Sequence, residues 1–354
     1  MIARQRARSG PIPERAVVPL AFVAAFILGV LRRPDALLNP VFFQEDRLFY
    51  EEAREGVAIW HPYAGYLHLV PRLIGGLQSR LEPTPAALLG TIVALAVMAA
   101  IAAFVASSRL RSVLPDPRLR LAVAMLVVCI PQGAEPLGAP SHLQWYLALF
   151  LVARLFADPP RTALESWGER AAVVIACLSG PLGILLAPLY WLRARPLLPW
   201  LAVSSAVQLV VLLASPRAAG GYPIPMLLDI IATRAIDQSI IGKAILLIAD
   251  VRVLVAVVLL ALLAVGLRSI PRSLWLSGAY LMVVPLAFGL AGNPDRTAIM
   301  LTPWAAQRYF VIIGFMLAAA VLLAAWHRRG LVQLALVALL AGGLAVSFQL
   351  APRV

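Results

Sequence analysis

Long apolar runs separated by short polar stretches dominate this chain, and they predict helices that cross a membrane. A bilayer core of about 30 Å needs about 20 mostly apolar residues in each spanning helix. Eleven apolar runs can be placed along the chain, at residues 16–31, 85–107, 120–134, 142–157, 170–179, 181–192, 197–215, 245–267, 274–291, 308–326 and 331–348. The pattern predicts an all-α, polytopic transmembrane protein with about eleven membrane segments in a single domain over residues 1–354.

The fifth and sixth runs leave two interpretations open. Residues 171–192 form either one ordinary span or two short helices folded back at Ser179-Gly180-Pro181. Short broken helices are tolerated in a membrane where protein or a water-filled cavity covers their free backbone groups. We favour the fold-back because it puts the arginine-rich turns on the cytoplasmic side, as the positive-inside rule requires. These turns carry Arg109, Arg111, Arg118, Arg120, Arg161, Arg193, Arg195, Arg268, Arg272, Arg328 and Arg329.

Composition agrees with a membrane protein. The chain is 62% hydrophobic and 13% charged, whereas soluble domains are closer to half apolar and a quarter charged. Its net charge of +13 comes almost entirely from arginines at the ends of apolar runs, without an aromatic-basic cluster. The charge therefore indicates membrane topology and attraction to lipid, not nucleic acid. Cys129 and Cys177 lie inside apolar runs, which predicts buried thiols and neither a disulfide framework nor a metal site.

The N-terminus resembles the basic start of a signal peptide. Arg4, Arg6 and Arg8 precede the first apolar run, but no small-x-small cleavage site follows it. We expect an uncleaved first span with a cytoplasmic N-terminus.

On this topology three longer polar segments face the exterior: 32–84, 216–244 and 292–307. The first is predicted to hold two interfacial helices. One covers 44–55 and is closed by Gly56, and the other covers 66–81. Tyr66, Val70, Leu73 and Leu77 share one face of the second helix.

Two adjacent acids in the first external loop are the main candidates for catalysis. Glu45 and Asp46 should lie close to the boundary between water and lipid, where a carboxylate can accept the proton of an attacking hydroxyl. Neighbouring helical residues point about 100° apart. One acid is therefore expected to face a cavity while the other pairs with a basic neighbour such as Arg47 or Arg72. An acid pair at a helix start also suits the helix dipole, without any catalytic role.

Further candidates lie in the same external segments. Cations suited to phosphate and polar or aromatic groups suited to a substrate recur there: Arg72, Lys243, Arg308, Tyr309, His61, Tyr66, Glu135 and His142. Glu135 and His142 belong to a short turn between two spans. Asp250 and Arg252 lie in an apolar stretch, where charges tend to be paired or functional. The spacing of His61 and His68 matches no zinc pattern, so no metal is predicted.

Several short motifs resemble the C-type (GT-C) integral-membrane glycosyltransferases, in particular a bacterial polyprenyl-phosphate-sugar-dependent type. The specific part is the first-loop block Glu45-Asp46-Arg47-Leu48-Phe49, followed by Pro62-Tyr63-Ala64-Gly65-Tyr66-Leu67 and Pro71-Arg72. Weaker similarities are scattered over most of the chain, at Glu135-Pro136-Leu137-Gly138, Gln144-Trp145, Ser179-Gly180-Pro181 and Arg308-Tyr309.

The resemblance implies transfer of a sugar from a polyprenyl-phosphate-linked donor to a glycan, lipid or protein acceptor at the extracytoplasmic face, usually with inversion. It implies Asp46 as the base that activates the acceptor and Glu45 as a supporting acid. Arg308 would hold the donor phosphate, with Arg72 and Lys243 as weaker candidates. No cofactor is implied. Membrane lipids are expected partners, and nucleic acid is not.

Two other functions stay open from the sequence. A transporter or flippase of a lipid-linked substrate suits broken helices and intramembrane charge, although no internal repeat supports it. A non-catalytic membrane assembly subunit would need no cavity at Asp46.

Overall fold

The computed structural model describes residues 12–43, 45–215, 226, 229–241, 252–266, 276–281, 283, 306–327 and 330–347. These residues are helical or irregular and contain no strand; an isolated bridge joins Tyr63 and Tyr66. The all-helical prediction is confirmed for this part of the chain. Four helical stretches are long and apolar enough to cross a membrane: Glu14–Arg32, Pro83–Ala106, Arg195–Ala214 and Gln307–His327.

The helices follow the predicted apolar runs with small shifts at their ends. In chain order they are α1 (Glu14–Arg32), α2 (Asp35–Leu38), α3 (Glu45–Arg54), α4 (Leu69–Gln78), α5 (Pro83–Ala106), α6 (Pro117–Cys129), α7 (Leu143–Leu155), α8 (Ala163–Leu178), α9 (Leu182–Arg193), α10 (Leu198–Ala214), α11 (Gln238–Ile241), α12 (Arg252–Gly266), α13 (Val311–His327) and α14 (Leu331–Ser347). A π-helical stretch, Ile231–Asp237, precedes α11. Short 3-10 turns cover Ser108–Leu110, Pro131–Gly133, Pro140–His142, Arg195–Leu197 and Gln307–Phe310.

Small residues allow α1 to pack closely against α5. Val17, Ala21, Ala25 and Gly29 recur every four residues and form the buried stripe of α1. A Cβ atom added at Gly29 would lie 2.9 Å from the Cδ2 atom of Leu95 on α5. Close approach through small side chains is typical of helix pairs in membranes. This contact fixes the N-terminal helix in the core.

The chain folds back between α8 and α9, as predicted. Helix α8 ends at Leu178 and α9 begins at Leu182, after the Ser179-Gly180-Pro181 break. Near the start of α8, Glu169 pairs with Arg154 at the end of α7. Near the end of α9, the Tyr190 hydroxyl donates to the carbonyl of Leu151, also on α7. The outer ends of both legs therefore lie at the same end of α7. The legs have 16 and 12 residues.

The helices have two chemically different ends. The loop end carries α2, α3, α4, residues 130–142 and Gln307. The turn end carries the connections 107–116, 156–162 and 194–197. At the turn end, Arg109 donates to Glu169 at 2.6 Å and to the carbonyl of Asp158 at 2.7 Å. Arg120 is buried and pairs with Glu14 at 2.5 Å. These bonds tie short connections to the helices that flank them.

The second interfacial helix starts later than the sequence predicts. It begins at Leu69 and not at 66, because residues 63–66 form a tight turn with positive φ at Ala64 and Gly65. Pro71 lies in the first turn of α4, where a missing N–H costs no hydrogen bond. Tyr66 therefore lies outside the helix. Leu73 and Leu77, which the sequence predicts to share one face, are both exposed.

Several predictions fall outside the described residues. They include Lys243 and Asp250, most of the segments 216–244 and 292–307, and most of the run 274–291. Helix α12 begins at Arg252.

Candidate functional site

The two acids at the start of α3 have different surroundings. Asp46 is only 4% exposed, and its Oδ1 atom accepts a hydrogen bond of 2.7 Å from the backbone N–H of Ser141. The N–H of Asp46 itself donates to the carbonyl of Phe43. Asp46 thus joins the start of α3 to the 3-10 turn Pro140–His142. A carboxylate on a buried backbone donor is a strong, charge-assisted contact.

Glu45 is the more accessible acid. Its side chain is 24% exposed, and its Oε2 atom lies 3.9 Å from Nε2 of His142. His142 is buried and makes an edge contact with the Phe43 ring, with 5.1 Å between ring centres. This places a partly open carboxylate near an imidazole, at a separation longer than a hydrogen bond.

The expected partners of the acid pair are engaged with other carboxylates. Arg47 pairs with Glu51 at 2.7 Å, one helical turn along α3. Arg72 pairs with Glu52 at 2.7 Å and lies over the Phe49 ring. Asp46 instead binds the Ser141 backbone. The prediction that Arg47 or Arg72 is the partner missed this contact because it joins residues 95 positions apart.

Glu135 connects the turn after α6 to the start of the last described span. Its Oε1 atom pairs with Nη1 of Arg308 at 2.5 Å, and its Oε2 atom accepts the backbone N–H of Gln307. In return, the amide oxygen of Gln307 accepts the N–H of Glu135 at 3.1 Å. This reciprocal arrangement resembles a capping box built across 172 residues.

Arginines of α1 hold the turn that carries Glu135. Arg32 is buried and donates to the carbonyls of Val128 at 2.6 Å and Ile130 at 2.7 Å. Arg33 donates to the carbonyl of Ala134. A cation at these carbonyls complements the negative end of the α6 dipole. These hydrogen bonds hold the turn in place, and they therefore fix the position of Glu135 within it.

Electrostatic contacts join these pieces into one cluster. Glu45 lies close enough to Arg308 to interact with it electrostatically. Arg234, fully buried in the π-helical stretch, interacts likewise with Glu135. Burial lowers the pKa of Arg234 to about 10, although Glu135 opposes that shift. We call Glu45, Glu135, His142, Arg234 and Arg308 the loop-end cluster.

Aromatic groups surround the cluster. Tyr309, next to Arg308, makes an edge contact with Trp145 at 5.1 Å between ring centres. The Arg308 guanidinium lies 5.2 Å from the centre of the Tyr309 ring. Arg234 lies 4.9 Å from the centre of the Phe310 ring. Such contacts hold a guanidinium in place while leaving N–H donors for other partners.

A second aromatic group packs beneath α3. His68 is buried and stacks on Tyr66, with 4.3 Å between ring centres. Burial, helped by the nearby charge of Arg72, lowers the pKa of His68 to about 3, although a bond to the carbonyl of Tyr66 opposes the shift. His68 is therefore neutral at ordinary pH. The Tyr66 hydroxyl accepts from Nε2 of Gln144 at 3.2 Å, which links this group to α7.

The remaining predicted site residues lie elsewhere. His61 is exposed, and its side chain forms no hydrogen bond with any described residue. Arg72 and Tyr66 belong to the aromatic group under α3. Lys243 is outside the described residues. Glu45, Glu135, His142 and Arg308 are thus the predicted residues that share the loop-end cluster.

Three residues that contribute to the site were not predicted from the sequence: Ser141, Arg234 and Gln307. Arg234 carried a usable signal, because it is a charged residue within a largely apolar stretch. Ser141 contributes a backbone N–H, which any residue type would supply. Gln307 acts through contacts that depend on the fold. No sequence signal identifies the last two.

Chemically, the cluster offers a partly open carboxylate, an imidazole and two guanidinium groups at one end of an apolar helical protein. Proton transfer and anion binding are the two functions such groups perform together. Comparisons with protein-family models, with curated proteins and with solved structures give no match for this chain.

Proposed function

We propose that this protein is a membrane glycosyltransferase that moves a sugar from a polyprenyl-phosphate-linked donor to an acceptor hydroxyl at the extracytoplasmic face of a bacterial inner membrane. The observation that carries the proposal is the approach of Glu45, His142 and Arg308 to one another at the loop end. These residues come from three segments far apart in sequence. The reaction needs an acidic side chain that accepts a proton and a cation that binds phosphate, and the loop end offers both.

In this reaction the carboxylate and the guanidinium have separate roles. The acceptor oxygen attacks the anomeric carbon of the donor while the bond from that carbon to the phosphate oxygen breaks. The polyprenyl phosphate leaves with the electron pair, and a carboxylate takes the acceptor proton. A guanidinium at the leaving phosphate stabilises the charge that develops there. Attack opposite the leaving group gives inversion.

The geometry favours Glu45 over Asp46 as the base. A general base must reach the acceptor hydroxyl within hydrogen-bond distance. Glu45 is partly open to solvent, whereas Asp46 is buried and engaged with the Ser141 N–H. In this proposal Asp46 positions the start of α3, and therefore Glu45. The sequence prediction assigns the two roles the other way round.

Arg308 is proposed to bind the donor phosphate. Its Nη1 atom pairs with Glu135, and its ring contact with Tyr309 orients the guanidinium. A guanidinium has five N–H donors, so one carboxylate does not exhaust it. Arg234 adds a second positive charge that interacts electrostatically with Glu135.

Binding of polyprenyl phosphate tests the phosphate site without knowledge of the sugar or the acceptor. The purified protein should bind polyprenyl phosphate more tightly than the uncharged polyprenol of the same length. Arg308→Gln should abolish that preference. Since this change removes the guanidinium that pairs with Glu135, the charge-neutral double variant Arg308→Gln/Glu135→Gln controls for misfolding. Equal binding of the two lipids by the wild-type protein would overturn the phosphate assignment.

Transfer assays with labelled polyprenyl-phosphate sugars separate the two acids. Glu45→Gln should remove transfer and leave polyprenyl-phosphate binding and thermal unfolding unchanged. Asp46→Asn should lower the unfolding temperature as well as the activity. Loss of transfer in a fully stable Asp46→Asn variant, with an active Glu45→Gln variant, would restore Asp46 as the base. Full transfer in both variants would exclude both acids as the base, and no transfer by the wild-type protein would favour an assembly subunit or a transporter.

A further inference from the structure

A second charged and aromatic site lies at the turn end, on the outside of the α8–α9–α10 unit. Arg170 of α8 lies between two tryptophans, with its guanidinium 4.6 Å from the ring centre of Trp167 and 5.7 Å from that of Trp200. The two indoles meet edge to face, 6.1 Å apart. Trp167 is one turn earlier on α8, and Trp200 lies in the first turn of α10.

Arg170 keeps its hydrogen-bonding capacity. Among the described residues its guanidinium makes no hydrogen bond and no ion pair. The two acids nearest to it in sequence serve other arginines: Glu165 is 4.0 Å from Arg109, and Glu169 pairs with Arg109 and Arg154. The ring contacts therefore hold Arg170 in place with its N–H donors available. Planar donors of this kind suit a phosphate group.

An exposed apolar stripe runs along α10 from this site. It begins at Trp200, which is 38% exposed, and continues through Val203, Val207, Val210 and Leu213, of which Leu213 is 77% exposed. These positions recur every three or four residues and so share one face. From Trp200 to Leu213 the helix rises about 20 Å, at about 1.5 Å per residue. One leaflet of a bilayer core is about 15 Å deep.

We infer that the Trp167–Arg170–Trp200 group binds the phosphate headgroup of an anionic phospholipid, with one acyl chain lying along the exposed stripe of α10. Each part of the lipid has a counterpart in the structure. The phosphodiester meets an arginine whose charge no described acid neutralises, and the glycerol region meets indoles, which favour the interface between lipid and water. The acyl chain covers valine and leucine side chains that otherwise have no partner among the described residues. This inference does not depend on the proposed enzymatic function.

Native mass spectrometry of the full-length protein in a neutral detergent tests the site. Dioleoyl-phosphatidylglycerol should bind more tightly than dioleoyl-phosphatidylcholine, and Arg170→Gln should weaken binding of the anionic lipid about fivefold, as expected for one arginine near a charged surface. Glycerol 1-phosphate, which has the headgroup chemistry but no acyl chain, should not compete at the same concentration.

Arg118→Gln provides the matched control. Arg118 is an exposed arginine at the same end, and it contacts no described tryptophan. Its loss should change the affinity for the anionic lipid by less than twofold. Because Arg170 has no hydrogen-bonded partner among the described residues, Arg170→Gln should fold with an unchanged unfolding temperature. Trp200→Leu, which keeps the apolar character, should reproduce the loss in affinity.

Three results would overturn the inference. Equal losses in Arg170→Gln and Arg118→Gln would mean diffuse attraction to the positive turn end. Equal binding of the two lipids by the wild-type protein would mean that the headgroup is not recognised. A dimer that Arg170→Gln dissociates would mean that a second copy of the chain covers this face.

Discussion

Arg120 at the turn end and Arg308 at the loop end each pair with a glutamate at 2.5 Å, but their surroundings differ. Arg120 also donates to three backbone carbonyls, those of Ala106, Leu114 and Pro115. Arg308 pairs with Glu135, lies over the Tyr309 ring and interacts electrostatically with Glu45. A guanidinium whose donors are used by its own fold stabilises structure, whereas one with donors to spare can bind a ligand. The two ends of the molecule therefore differ mainly in how many arginine N–H donors the fold itself uses, and less in how many charges they carry.

The largest effect should follow from removing Arg120. Arg120→Met leaves three carbonyls without this donor and removes one of the two arginines that pair with Glu14. A buried polar group left without a partner costs about 1–3 kcal/mol. We expect a loss of folded protein, measured as the fraction that remains monodisperse in detergent during heating.

Arg111→Gln is the matched control for this change. Arg111 pairs with the same carboxylate, Glu14, at 2.7 Å, but its side chain is 57% exposed. Exposed pairs contribute little, so this variant should unfold close to the wild-type temperature. Equal destabilisation by the two substitutions would show that the carboxylate, and not the set of carbonyls around Arg120, accounts for the stability.

The next effect concerns the attachment of α3, which carries the acids of the loop end. A Cβ atom at Gly75 of α4 would lie 2.8 Å from the carbonyl oxygen of Phe49, so Gly75→Ala must push α3 and α4 apart. Such overpacking costs about 3 kcal/mol in unfavourable cases. We expect a lower unfolding temperature together with weaker transfer, because Glu45 moves with α3.

The neighbouring glycine controls for helix propensity. A Cβ atom at Gly76 meets nothing within 4 Å. Gly76→Ala should therefore stabilise α4 slightly, by up to about 1 kcal/mol, since alanine favours helix over glycine. Destabilisation of both variants alike would argue against a specific contact between Gly75 and Phe49.

The helix-level organisation was predictable from sequence because it depends on local patterns. The acids at the start of α3 with Gly56 after its end, and the Ser179-Gly180-Pro181 break, each mark a boundary that the structure reproduces. The start of α4 was wrong by three residues because the tight turn at 63–66 relies on positive φ at an alanine, which sequence rules assign to glycine or asparagine.

The candidate site was less predictable because its contacts join distant segments. The sequence predicted Glu45, Glu135, His142 and Arg308 as separate site candidates because of their side-chain chemistry. It did not predict that Glu135 pairs with Arg308, or that Asp46 binds a backbone N–H of residue 141. These pairings depend on how the helices pack. Every residue except proline has a backbone N–H, so the residue type at position 141 does not show that this group binds Asp46.

Buried His68 gives the loop end a pH dependence. The pKa of His68 is lowered to about 3, against about 6.5 in an unfolded chain, so unfolding takes up a proton between these values. The contribution is fully present above pH 6.5 and is lost as pH falls from 6.5 towards 3. At pH 5 the loss should reach about 2 kcal/mol relative to pH 8.

Thermal unfolding at pH 8 and pH 5 measures this effect. His68→Gln should reduce the difference between the two pH values, although it also loses ring packing on Tyr66. His61→Gln makes the same chemical change at an exposed position and should keep the wild-type difference. An unaltered pH dependence in His68→Gln would assign the acid sensitivity to carboxylates.

The smallest effect is expected at α3, where Glu51 pairs with Arg47 of the same helix and Glu52 pairs with Arg72 of α4, each at 2.7 Å. Arg47 and Glu51 have side chains that are 72% and 48% exposed, whereas Arg72 and Glu52 are 3% and 20% exposed. Hydrogen bonding to Glu51 raises the pKa of Arg47, but water screens an exposed pair, so Arg47→Gln should leave the unfolding temperature unchanged. Arg72→Gln should lower it measurably, since Glu52 loses a buried partner. If both variants unfold like the wild type, burial does not decide whether an arginine in an ion pair stabilises the fold.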